Sequence, residues 1–281
     1  MQQLDEIYLE LIIFVPLGLF VMLLLIVRGP LRRGSLAMAP RRQVKLHMVD
    51  LLTAMLVMAG GALVMSLAVM QLPQGSGPGH YALRQLLGQA AFVPPIVLVL
   101  WRVMAQRDGL TAFGLVSLHP WRDVAAGVLA LLAAGPMVMG VAVLMAAASM
   151  LWVEKPPLAQ HEMLRVVMEA GGGSWPVWTM LVSAVVIAPL VEEVIYRGLV
   201  QTALLNLGGV QKRWSVVLIS ACWFTLIHTS VSWQGLAGLF VLAMVLAWLY
   251  ERHRSLWPGI VLHMGFNAVN FLWVMVAPLA P

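Results

Sequence analysis

Glu192-Glu193-Val194-Ile195-Tyr196-Arg197 sets two carboxylates and a guanidinium into a stretch that otherwise reads as a membrane-spanning helix. An ionised group at the centre of such a helix costs roughly 2.5 to 3.5 kcal/mol on insertion scales, so three facing lipid would cost about 7 to 10 kcal/mol. The groups must therefore face the inside of a bundle. On a helix Glu193 and Arg197 are four apart and can pair, while Glu192 points about 100° away. Two adjacent acids beside one cation leave the second carboxylate free to act as a base. The structural alternative is that all three charges merely lock helix to helix.

Two further polar pairs at i, i+4 spacing lie downstream in apolar stretches, Phe224 with His228 and His263 with Asn267. An isolated intramembrane histidine is more often a packing residue than a catalyst. A second histidine reverses that weighting. An imidazole and a carboxamide one helical turn apart bring two donors to one point, as a developing oxyanion requires, and Phe224 reads as a wall of the pocket. Carboxylate, histidine and two donors suit hydrolysis of an amide by activated water, with no serine, cysteine or threonine nucleophile. The expectation is a site without a cofactor. A zinc alternative stands beside it, because Glu192, His228 and His263 could supply the three protein ligands of a catalytic site. Against zinc, the nearest approach to HExxH is His161-Glu162-Met163-Leu164-Arg165, which ends in arginine.

The elements that must position these residues are read from hydropathy. Of 281 residues, 61% are hydrophobic and 10% charged, against about 25% charged in soluble domains. This is an all-α integral membrane protein, a polytopic bundle, and residues 1–281 are expected to form one membrane domain. Apolar runs give eight spans, approximately 8–27, 48–71, 86–104, 124–150, 177–206, 215–232, 235–250 and 256–277. The net charge of +5 raises nucleic acid as a partner, but the basic residues gather in short loops, so none is expected. With the amino terminus outside, thirteen lysines and arginines fall on the cytoplasmic face, among them Arg28, Arg102, Lys212, Arg213 and Arg252. Only Arg84, Lys155 and Arg165 fall opposite, and both termini are expected outside the cytoplasm. The first span follows Asp5 and Glu6 rather than a basic leader, so it reads as retained.

Lesser features complete this reading. Cys222, the one cysteine, reads as a small buried hydrophobe. Trp121, Trp178, Trp214 and Trp257 fall near span ends and fit an aromatic belt. Gly60-Gly61 and the pair Gly235 and Gly238 suit close helix packing, within a chain or between chains. Residues 73–80 are turn chemistry, and 157–169, ending in Gly171-Gly172-Gly173, read as a short interfacial helix on a tether. At about 1.5 Å per residue, Glu192 and His263 fall roughly 10 Å from the cytoplasmic edge and His228 nearer 20 Å, a gap that tilt and a bend at Pro189 must close.

Glu-Glu-x-x-x-Arg at 192–197, Phe-x-x-x-His at 224–228 and His-x-x-x-Asn at 263–267, in that order on successive membrane helices, resemble the CPBP family of intramembrane proteases. That family takes in the CAAX prenyl endopeptidases and the bacteriocin-processing and abortive-infection proteins. The resemblance covers about residues 176–275, a CPBP-like catalytic core, and Phe113-Gly114-Leu115 before the fourth span echoes it faintly. It implies an endopeptidase in a bacterial inner (cell) membrane acting on a membrane-associated peptide or protein segment, with a lipidated CAAX-type end as one candidate. It makes Glu192 the base that activates water, assisted by His228. His263 and Asn267 become the oxyanion donors, with Glu193 and Arg197 as the supporting pair. Two other classes stay open: a non-catalytic membrane adaptor of the same fold, and a proton-coupled transporter using the acids and Arg197 as a relay.

Overall fold

The computed structural model describes residues 2–29, 31, 34–37, 39, 44–72, 77–151, 170, 173–209, 212–228 and 231–276. Residues 73–76, the segment 157–169 and Gly171-Gly172, read above as turn, interfacial helix and tether, lie outside the described residues. The described residues form helices α1 (Gln2–Val27), α2 (Met48–Met70), α3 (Pro78–Ala90), α4 (Val93–Met104), α5 (Gly109–Phe113) and α6 (Pro120–Ser149). Then come α7 (Trp175–Gly208), α8 (Arg213–Leu226), α9 (Trp233–His253) and α10 (Trp257–Val276). No strand occurs among the described residues. Among the described residues, six stretches are long and apolar enough to cross a membrane: 10–27, 48–70, 78–104, 120–149, 175–208 and 233–253.

The expected sixth span is the main departure, since α8 stops at Leu226 after 14 residues instead of running to 232. The cause is local. The Nδ1 of His228 lies 2.6 Å from the Phe224 carbonyl, the oxygen that the His228 amide would use to continue the helix, and that amide bonds Thr225 instead. A side chain that competes for its own helical acceptor ends the helix. At 1.5 Å per residue α8 is about 21 Å long, and His228 sits in the turn beyond it. The difference in depth reckoned from the sequence does not keep the side chains apart, since His228 Nε2 lies 3.9 Å from Glu192 Oε2.

Helix α6 is the hub, with α1, α9 and α10 packed along it. Small residues permit the close approach: a Cβ on Gly238 of α9 would lie 3.1 Å from the Val138 carbonyl of α6, and one on Gly61 of α2 would lie 2.9 Å from the Ala91 carbonyl. These two glycines of the expected pairs thus serve packing within the chain, whereas Gly60 has nothing within 4 Å of an added Cβ. The apolar core beneath the site includes Phe113, Val194, Leu199, Phe224, Tyr250 and Ile260. Phe113-Gly114-Leu115 has a definite position there. Gly114 adopts φ +88°, its carbonyl accepts from Leu256 at 2.9 Å, and the Leu115 carbonyl accepts from Trp257 Nε1 at 2.8 Å. A side chain at 114 would press on the Arg254 carbonyl, 2.7 Å from its Cβ, so this left-handed turn needs glycine and seats the start of α10.

Trp257 is half-buried with its indole N–H donating to the Leu115 carbonyl, while Trp121 and Trp178 are exposed. Two expectations need correction here. Cys222 is half-buried, not enclosed. Arg213 is not a free loop cation: it is buried, its Nη1 donates to the carbonyls of Leu36 and Ala39 at 2.7 and 2.8 Å, and its Nε lies 3.8 Å from Glu251. Gln201 donates to the same Glu251 at 3.1 Å, so a buried polar cluster ties α7, α8 and α9 to the 28–47 connection.

Candidate active site

Helix α7 carries the acids, and its winding explains their placement. Two stretches of it, Ser183–Ile187 and Glu193–Gln201, are π-helical, bonding i to i+5. Pro189 lies between them. In this register the Ala184 carbonyl would pair with the amide of residue 189, which proline lacks. Asn267 Nδ2 of α10 donates to that orphaned carbonyl at 2.9 Å. A carbonyl stranded in an apolar bundle costs about 1 to 3 kcal/mol, so Asn267→Ala is expected to lower stability by that order, read as a fall in the melting temperature in detergent.

Glu193 and Arg197 form the expected pair, with Arg197 Nε 3.4 Å from Glu193 Oε2 and both side chains almost fully buried. The guanidinium lies 4.6 Å above the centre of the Phe224 ring, a cation–π contact in a dry setting. Tyr196 meets the same ring edge-on at 5.2 Å. Phe224 also meets the tilted His228 ring at 4.5 Å and the His263 ring edge-on at 5.9 Å. It is therefore the shared platform under the cation and both imidazoles, a larger part than the pocket wall read from sequence.

The histidines converge on Glu192. His228 Nε2 lies 3.9 Å and His263 Nε2 3.7 Å from Glu192 Oε2. Each ring is held from behind. His228 Nδ1 faces the Phe224 carbonyl, which can only accept, so that nitrogen carries a proton. His263 Nδ1 lies 3.2 Å from Glu193 Oε1, and a carboxylate paired with arginine likewise accepts. Both Nε2 atoms are thus turned to Glu192, which is the half-buried acid, its side chain 21% exposed against 1% for Glu193. The structure brings Glu192, His228, His263, Glu193, Arg197 and Phe224 together. It sets Asn267 one turn further along α10, engaged with α7.

Gly259 makes this closeness possible. A Cβ there would lie 2.9 Å from Glu193 Oε2. Gly259→Ala is expected to push the carboxylate off Arg197 and lower stability by about 1 to 3 kcal/mol, measured as thermal unfolding in detergent beside the wild type. Sequence reasoning missed this residue, because no motif position marks it. It also missed Gln85 and Gln89 of α3, which with Gly88 line a cavity of about 180 Å³ reaching Glu192; their i, i+4 polar spacing in an apolar stretch was the available signal.

Two imidazole nitrogens and a carboxylate are a donor set of the type that binds catalytic zinc. No group of three or more His, Cys, Asp or Glu among the described residues is arranged to hold a metal ion.

Fold and site together define a polytopic helical membrane protein with a carboxylate–histidine centre buried among α7, α8 and α10. Residues 173–269 match the family model described as type II CAAX prenyl endopeptidase Rce1-like, which bears out the resemblance to CPBP proteases over that segment. Among curated proteins, the chain is similar to three from Lactococcus lactis subsp. lactis (strain IL1403). UPF0177 protein YbdI is 25% identical over 101 residues, 36% of this chain and 52% of that protein. UPF0177 protein YaiF is 34% identical over 92 residues, 33% of this chain and 39% of that protein. UPF0177 protein YxdF is 28% identical over 82 residues, 29% of this chain and 42% of that protein. The chain thus spans about half or less of these relatives' lengths. No solved structure matches it.

Proposed function

We propose that this protein is an intramembrane endopeptidase that hydrolyses a peptide bond of a membrane-associated substrate by glutamate-activated water. The observation that carries the reading is the convergence of His228 Nε2 and His263 Nε2 on Glu192 Oε2, at 3.9 and 3.7 Å, with both Nδ1 atoms engaged from behind. Glu192 and His228 are too far apart to bond directly and close enough for one water oxygen to lie about 2.8 Å from each.

In the reaction, Glu192 takes a proton from that water and the hydroxide oxygen bonds to the scissile carbonyl carbon. The negative charge gathers on the former carbonyl oxygen. Asn267 has a second amide N–H beyond the one given to Ala184, and His263 donates from Nε2 once it carries a proton there, so both are available to that oxyanion. The C–N bond then breaks, and Glu192 returns its proton to the leaving nitrogen. The second proton of the water follows as the new acid ionises, giving a carboxylate and an ammonium. Glu193 orients His263 as the buried acid of a serine-protease triad orients its histidine.

The proposed reaction proceeds without a metal ion. The setting is a bacterial cell membrane, with both termini outside the cytoplasm and 1–281 acting as one membrane domain. The family match supports a peptide with a lipidated CAAX-type end as one candidate substrate. The test compares detergent-purified wild type and Glu192→Gln on lipidated and unlipidated peptides, with and without chelator, reading products by mass spectrometry. Cleavage that requires Glu192 and survives chelation is expected. Loss with chelator would restore the zinc alternative, and no cleavage by folded wild type would favour an adaptor.

A further inference from the structure

Helices α3 and α4 lie outside the matched segment 173–269. Helix α3, with Phe92 of the turn that follows it, nevertheless walls the cavity of about 180 Å³ whose far side is Ala188, Val191 and Glu192 of α7. At about 30 Å³ per water molecule this volume holds roughly six waters, which suits a short stretch of main chain. Gln85 and Gln89 stand one turn apart on its α3 side, with Gly88 beside them. A Cβ on Gly88 would meet nothing within 4 Å, so the backbone of α3 is open there to close approach.

Gln89 is poised between two partners. Its Nε2 donates to the Ser183 carbonyl at 3.3 Å. A carbonyl only accepts, so the amide cannot be the other way round. Its Oε1 is buried and has no hydrogen-bond partner among the described residues. A buried acceptor calls for a donor. Because 3.3 Å is long for such a bond and the terminal torsion of glutamine is soft, the carboxamide can turn to meet one. Ser183 loses nothing by it, since its carbonyl also accepts from the Ala188 amide.

We propose that this cavity seats an extended stretch of substrate main chain beside Glu192, that Gln89 Oε1 accepts a hydrogen bond from one substrate N–H, and that Gly88 lets the chain lie against α3. The inference rests on the proteolytic reading and supplies its substrate-binding side. A peptide unwound for cleavage within an apolar bundle brings N–H groups that it cannot leave unpaired. The three residues give it one acceptor, one bare backbone surface and a second amide one turn away.

The experiment uses a synthetic peptide ending in a farnesylated CAAX sequence and its unlipidated twin, each also made with single backbone N-methyl groups. Gln89→Leu is expected to raise KM about threefold to tenfold, the worth of one neutral hydrogen bond, with kcat little changed. Gly88→Leu, which fills the cavity and leaves the Gln89 bond to Ser183 alone, is expected to raise KM further. N-methylation of one particular amide should penalise the wild type and leave Gln89→Leu indifferent, a result that a merely structural role for Gln89 does not produce. If the wild type cleaves while both variants keep its KM and no N-methyl position discriminates, the inference is overturned and the protease reading stands. If the folded wild type cleaves nothing, the protease reading fails, and binding of the same peptides to Glu192→Gln by fluorescence anisotropy decides the cavity. Binding weakened by both variants supports the seat; binding absent or unaffected overturns it.

Discussion

Glu192→Gln is expected to remove hydrolysis and leave the fold intact. The amide has the shape of the carboxylate but cannot hold the proton that the water must lose, and general base catalysis of this kind contributes about 100-fold to 10,000-fold. The fold should not suffer, because Glu192 is the acid that does not pair with Arg197. Its neighbours are two imidazoles at 3.7 and 3.9 Å, and its side chain keeps 21% exposure. Removing a charge from an apolar bundle is as apt to stabilise as to destabilise, a common outcome at catalytic positions. The expected result is product formation down by at least about 100-fold, by mass spectrometry, with a melting temperature at or above that of the wild type. Full activity in Glu192→Gln would remove the acid from the mechanism.

Arg197→Ala is expected to give the opposite pattern, a loss of stability first and of activity as its consequence. The guanidinium is fully buried, 3.4 Å from Glu193 and stacked on Phe224. Its removal strands the Glu193 charge, which typically costs about 3 to 5 kcal/mol. Glu193→Gln should do comparable damage by stranding Arg197, and it also releases His263 from its 3.2 Å partner. The double variant Glu193→Gln, Arg197→Met leaves no unpaired charge, so much of the stability should return. Activity should not return with it, because His263 has still lost the acid that orients it. Thermal unfolding in detergent beside cleavage rates separates these outcomes, and equal melting for Glu192→Gln, Glu193→Gln and Arg197→Ala would contradict this division of roles.

What was legible in the sequence was whatever hydropathy and spacing encode directly. Charges in an apolar run announced a buried centre, and the i, i+4 pairs on successive spans named most of the side chains that meet there. The rest depends on backbone detail that composition does not carry. Pro189 signalled a bend, but the π-helical register on either side of it, and hence the carbonyl that Asn267 answers, follows from how α7 packs against α10. The boundary of α8 was missed because an apolar run continues past Leu226, whereas the helix is ended by the His228 ring taking the Phe224 carbonyl. Gly259 carries no pattern at all; only the position of Glu193 Oε2 gives it meaning. Arg213 looked like one more loop cation because its acceptors, the carbonyls of Leu36 and Ala39, are more than 170 residues away in the chain.

The shortness of α8 couples this site to the lipid around it. A helix about 21 Å long cannot match a hydrocarbon core of about 30 Å. The bilayer must thin beside it, or neighbouring helices must shield the polar backbone that follows it; either accommodation costs fractions of a kcal/mol per ångström of mismatch. His228 stands just beyond the end of that helix and faces Glu192 at 3.9 Å. Under the proposed mechanism the length of the surrounding acyl chains becomes a setting of the reaction, and short-chain and long-chain lipids should hold His228 differently against Glu192.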